Sequence, residues 1–153
     1  MEVFTLGSYG RDLTHWYSGG DTCYGICIKE GKILLCCNHV LDKEYQLMGG
    51  RVGPNESHRE CLEKVFWDMA QIEIKDIKPL CDVNFKWRAS GGHPIFSKYH
   101  FYIIDTDFSP HSLNWSCYWV DINDYKDYVF KPYIQKAIDY YIDEFENLKD
   151  EDK

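Results

Sequence analysis

A chain of 153 residues with 44% hydrophobic and 16% aromatic content is long enough for one domain with an ordinary core, and too aromatic for disorder. Its formal net charge of −8 argues against broad binding to nucleic-acid phosphates, which requires a basic surface, while leaving room for local basic pockets. No apolar run approaches the ~20 residues that span a bilayer, and the start MEVFTLGSYGRDL lacks the basic and apolar blocks of a signal peptide.

Residues 1–21 carry little periodicity and read as an N-terminal extension, with Tyr17-Ser18-Gly19-Gly20-Asp21 as a turn or loop. Two β-like runs follow, 22–29 and 32–38, joined at Glu30-Gly31 as a tight hairpin. A short strand, Tyr45-Gln46-Leu47-Met48, leads into Gly49-Gly50. Residues 57–70 form a predicted helix: Ser57 or Asn55 caps it, and Glu60, three residues after Ser57, completes a capping box. Apolar residues at 61, 62, 65, 66 and 69 recur at helical spacing, so the row Cys61, Val65, Met69 is expected to be core. A strand from 72 or 74 to 85 is interrupted near Pro79, and 86–98, with Gly91-Gly92-His93-Pro94, reads as a flexible loop. Strands are expected at 99–106 and 115–120, then an amphipathic helix over 132–148, and residues 149–153 form a charged, solvated tail.

Seven cysteines, an odd count without an export signal, point to free thiols in a reducing cytoplasm. There is no C-x2-C pair to signal zinc, and Cys23 and Cys27 share one strand face with Gly25, expected to pack inward.

The segment GGRVGPNESHRECLEKVFWDMAQIEI, from Gly49 to Ile74, resembles the Nudix box, G-x5-E-x7-R-E-U-x-E-E-x-G-U with U a large apolar residue. Gly50 takes the glycine and Glu56 the first glutamate, while Lys64 stands for the arginine and Val65 for the first metal-binding glutamate. Asp68 and Met69 replace the paired glutamates, and Gln71 replaces the closing glycine. A second register reads Arg59-Glu60-Cys61-Leu62-Glu63-Lys64 as the R-E-U-x-E-E core, but leaves only two residues between Glu56 and Arg59 where the family has seven. The GDP-mannose-type sugar hydrolases of this superfamily also show GGRV, lack the first metal-binding glutamate and use a loop histidine as base, although they keep a glutamate where Met69 stands.

The resemblance implies a Nudix-type α/β/α sandwich with a mixed sheet over residues 22–148. It also implies a family activity of Mg2+- or Mn2+-dependent hydrolysis of a nucleoside diphosphate linked to another group. Such hydrolysis needs divalent cations held by oxygen ligands on one helix face. Valine offers no lone pair, and a thioether suits soft metals. Two readings of the site follow. In one, a nucleotide or nucleotide-sugar pocket survives and hydrolysis is lost or strongly weakened. In the other, one metal is held by Glu56, Asp68 and Glu60 or Glu63, with His93 as a mobile general base. Arg51 is a candidate phosphate contact, and Tyr17, Tyr24, Trp87 and Phe96 are candidate base- or sugar-stacking residues. A homodimer or protein partner is compatible with the aromatic-rich composition, and membrane association is not expected.

Overall fold

The computed structural model describes residues 2–7, 17–37, 45–88, 94–107, 117–129 and 131–146. Its elements run β1 (Glu2–Leu6), β2 (Tyr17–Ile26), β3 (Ile28–Lys29), β4 (Lys32–Cys37), β5 (Tyr45–Gln46), β6 (Met48–Arg51), α1 (His58–Ala70), β7 (Asp76–Arg88), β8 (Pro94–Asp105), β9 (Cys117–Asp121) and α2 (Pro132–Tyr141). A 3-10 turn, Ile122–Asp127, precedes α2, which continues as a π-helical turn, Ile142–Glu146. The main sheet is mixed, in the order β1-β7-β8-β2-β6, and a second sheet joins β3, β4 and β5, with β9 pairing β4.

Local chemistry explains these elements. Glu30 and Gly31 both take positive φ, 53° and 75°, the handedness that a two-residue hairpin between twisted strands requires. Pro79 cannot donate to a ladder, and the β7–β8 register shifts between Pro79 and Cys81, leaving Leu80 as the extra residue of a bulge. Ser57 caps α1, with its side chain accepting from the Glu60 backbone N–H and the Glu60 carboxylate reaching back to the Ser57 backbone, as the sequence predicts.

Each face of the main sheet carries a core. On one, α2 brings Ile134, Ala137 and Ile138 onto Tyr24, Val83 and Phe101. On the other, Leu62, Phe66 and Ala70 of α1 meet Cys23, Ile72 and Ile104. Gly25 permits that approach, since a Cβ there would stand 2.6 Å from Ile104 and 2.8 Å from Phe66. All seven cysteines are buried and none forms a disulfide. No described helix is long and apolar enough to cross a membrane.

The helices and the α/β sandwich are as expected from the sequence, and three readings are corrected. Residues 1–21 are not wholly an extension: Glu2–Leu6 is an edge strand parallel to β7, and β2 begins at Tyr17. Residues 86–98 are not all loop, because β7 runs on to Arg88 and β8 starts at Pro94. The core face of α1 is Cys61, Leu62, Phe66 and Ala70, with Val65 and Met69 only partly buried at its margin.

Candidate functional site

Helix α1 runs over β6 and β2. Val65 faces Gly50: a Cβ on that glycine would lie 3.7 Å from Val65 Cγ2. Cys61, one turn earlier, directs its thiol to the carbonyls of Gly50 and Arg51, at 3.7 and 3.8 Å. The helix ends at Gln71, a C-cap in the left-handed region with φ 54°. That conformation favours glycine, because a Cβ there crowds the backbone. The first register aligns Gln71 with the family's closing glycine, and the left-handed backbone there is the shape a glycine takes most readily. Gln71→Gly should therefore raise unfolding free energy by about 1 kcal/mol in urea titration, and no gain would remove this support for the register.

The three candidate metal ligands do not converge. Glu56 closes a turn, its Oε1 accepting from the Gly53 N–H at 3.1 Å. Glu60 is exposed and belongs to the cap, accepting from the Ser57 N–H at 3.5 Å. Asp68 is exposed, and Glu63 is paired to Arg59 at 2.7 Å. Among the described residues no group of three or more His, Cys, Asp or Glu side chains is arranged to hold a metal ion. The described carboxylates are thus engaged or exposed singly, with no shared point at which several of them would hold one cation. Lys64 is exposed on the same helix. His93 lies outside the described residues.

A pocket of about 380 Å³ opens on the opposite face of the sheet, lined by Phe85, Trp87, Tyr99, Lys131, Pro132 and Tyr133. Tyr99 of β8 and Tyr133 of α2 stack within it, with centroids 3.8 Å apart and planes 4° from parallel. Pro132 starts α2 at a position where a missing N–H costs nothing, which carries Tyr133 over the sheet. Trp87 is fixed by donating its indole N–H to Ser97 Oγ at 2.9 Å. Arg51 lies on this face too, since Arg51 pairs Thr22 and Thr22 pairs Tyr99. Its guanidinium donates to the Gly19 carbonyl at 2.6 Å. Gly19 in turn packs on Ser97, where a Cβ would come 2.0 Å from the hydroxyl. A continuous path thus joins Arg51 to Trp87 through Gly19 and Ser97.

Of the other expected stacking residues, Tyr24 is 7% exposed and packs beneath Tyr99 and Phe101 as core, its phenol pushed up by burial. Phe96 lies on the other face of β8 from Trp87, because strand neighbours alternate and Trp87 pairs Ile95. The side chain of Tyr17 is outside the described set. Sequence reasoning missed Phe85, Tyr99, Lys131 and Tyr133. The one local signal was the proline that starts α2 directly before an aromatic residue.

A polar network was missed as well. His100 Nδ1 lies 3.0 Å from Asp82 and its Nε2 3.3 Å from Asp21, linking β7, β8 and β2. His58, the first residue of α1, hydrogen-bonds the Tyr102 hydroxyl, and its ring sits 4.6 Å from that of His100. Burial and the neighbouring His100 hold the His58 pKa below the ordinary histidine value. Three strands and a helix supply these groups, so no sequence spacing announces them.

No family model matches the sequence, and no curated protein matches it. Solved structures do. The E. coli ORF135 protein superposes with a TM-score of 0.63 at 18% identity, over 87% of this chain and 94% of that one. A MutT NUDIX hydrolase from Burkholderia pseudomallei gives 0.60 at 17% identity, covering 79% and 96%. The C. elegans Ap4A hydrolase gives 0.56 at 14% identity, covering 80% and 95%. At these identities the likeness is one of fold.

Proposed function

Taking the Nudix fold as its frame, we propose that this protein binds a nucleotide or nucleotide-sugar in the aromatic pocket beside α2 and has lost, or greatly weakened, metal-dependent hydrolysis. What supports the reading is Val65 against Gly50: in the first register this apolar branched side chain aligns with a carboxylate on which the family's metal-dependent chemistry relies. Glu56 and Glu60 are already engaged in a turn and a cap, which weighs against the one-metal alternative. The pocket supports the binding half. Its size falls in the range of small-molecule sites, its walls offer aromatic faces, and Lys131 at its rim and Arg51 on the same sheet face supply cations for phosphates.

Phosphate release from ADP-ribose, nucleoside triphosphates and GDP- or UDP-sugars should stay at background with Mg2+ or Mn2+. Calorimetric titration should meanwhile detect binding of one such compound, weakened roughly 2- to 10-fold by Trp87→Ala, the value of one stacking contact. Turnover abolished by Asp68→Asn would overturn the inactive reading, because an inert protein has no activity for that change to remove. Binding untouched by Trp87→Ala would place the ligand elsewhere.

A further inference from the structure

The outward side of α1 carries Trp67, the most exposed large apolar side chain among the described residues, with 56% of its surface in solvent. Two hollows meet there and share Trp67, Glu73 and Ile74. One, of about 400 Å³, extends to Gln71, Lys75 and Asp107. The other, of about 380 Å³, extends to Glu63 and Ile72. The turn that ends the helix makes this shape. Beyond the left-handed Gln71, Ile72 and Ile74 enter the core beneath α1 and Glu73 stands out in solvent. An indole face is thus set beside a carboxylate over an aliphatic floor. The other charges nearby are already matched: Lys75 reaches Asp107 at 3.2 Å and Arg59 reaches Glu63 at 2.7 Å. Lys64 and Asp68, four apart on α1, offset each other. Glu73 has no ion pair among the described residues.

We propose that this groove docks a peptide segment of a partner protein through an arginine. The guanidinium lies flat on the Trp67 indole and donates to the Glu73 carboxylate, and the aliphatic neighbours of the arginine enter the two hollows. Both walls select that group: a guanidinium is planar for stacking on an aromatic face, and its fork of N–H donors matches a carboxylate. A lysine ammonium is a point charge that water holds more tightly, so it gains less from the ring. A phosphate-bearing ligand would meet Glu63, Glu73 and Asp107 and be repelled. The net charge of −8 draws a basic segment toward the chain at longer range. One ring and one unmatched carboxylate make a small contact, which suits a transient partner. The groove lies on the outward side of α1 and does not depend on what the aromatic pocket across the sheet binds.

A fluorescein-labelled peptide with arginine between two leucines, followed by anisotropy, tests the proposal beside the same peptide with lysine or citrulline at the centre. The citrulline peptide keeps the shape and loses the charge, and should bind roughly 3- to 30-fold more weakly, the range for a cation over an indole. The lysine peptide should fall between the two. Trp67→Ala should weaken the arginine peptide by a similar 3- to 30-fold, roughly, and Trp67→Phe by less. Glu73→Gln should weaken the arginine peptide about 2- to 5-fold, as for an exposed ion pair, and leave the citrulline peptide unchanged. A merely structural effect would move both peptides together. Trp67 and Glu73 are exposed, so all three variants should melt with the wild type by circular dichroism. No anisotropy change for the arginine peptide at about 1 mM protein, which reveals even millimolar affinity, would overturn the proposal. So would equal binding of the arginine and citrulline peptides. Sedimentation showing a dimer that Trp67→Ala dissociates would overturn it too, since a second copy of the chain would then fill the groove.

Discussion

Phe66→Ala should lower unfolding free energy by about 3–5 kcal/mol, whereas Met69→Ala, on the same helix, should cost roughly 1–2 kcal/mol. Phe66 has no exposed surface and meets Gly25 and Ile104 across the sheet. Its removal leaves a void that backbone cannot fill, because β2 and β8 are held on both sides by ladders. Met69 is half-buried at the margin of the same cluster, so water can replace part of what truncation removes. Urea denaturation of the two variants measures the contrast. Equal losses would mean that the face once expected to be core is core, and that the margin beside Gly50 is closed.

The second large effect concerns the same margin. Val65→Glu combined with Met69→Glu should cost roughly 1–3 kcal/mol in metal-free buffer, as two carboxylates enter a half-buried apolar surface. Burial raises their pKa, so this loss should shrink as pH falls and the new groups protonate. Millimolar Mg2+ should return part of the stability by binding only the folded state, since the two new carboxylates would stand with Asp68 at helical spacing i, i+3 and i+4. Denaturation with and without Mg2+ reads this directly. A double variant indifferent to Mg2+ would sink the register that aligns Val65 with the family's metal-binding glutamate. Hydrolysis appearing together with the Mg2+ effect would mean that a substrate reaches the α1 face, on the opposite side of the sheet from the aromatic pocket.

What could be read from the sequence was mostly what short spacing controls. The Ser57–Glu60 cap, the Glu30-Gly31 hairpin and the break at Pro79 each follow from residues within four positions of one another. Beyond that range the reading failed for definable reasons. Val3 and Phe4 look like scattered apolar residues until β7 pairs with them. Trp87 and Phe96 share no surface because strand alternation separates them. Val65 and Met69 fit a helical row with Cys61, yet the direction in which a helix faces its sheet is set by tertiary packing, here by Phe66 over Gly25. The network of His58, His100, Asp21 and Asp82 exists only once four elements meet.

The seven buried thiols give the native chain a built-in clock. Burial pushes Cys27 up to about 11 and Cys36 and Cys81 up to about 12, which starves each of the thiolate that alkylating reagents attack. They are spread over both helix-covered faces and the second sheet, so each labels only when its own region opens. Counting adducts by mass spectrometry over time would rank those regions by how often they open, without a probe being added to the molecule.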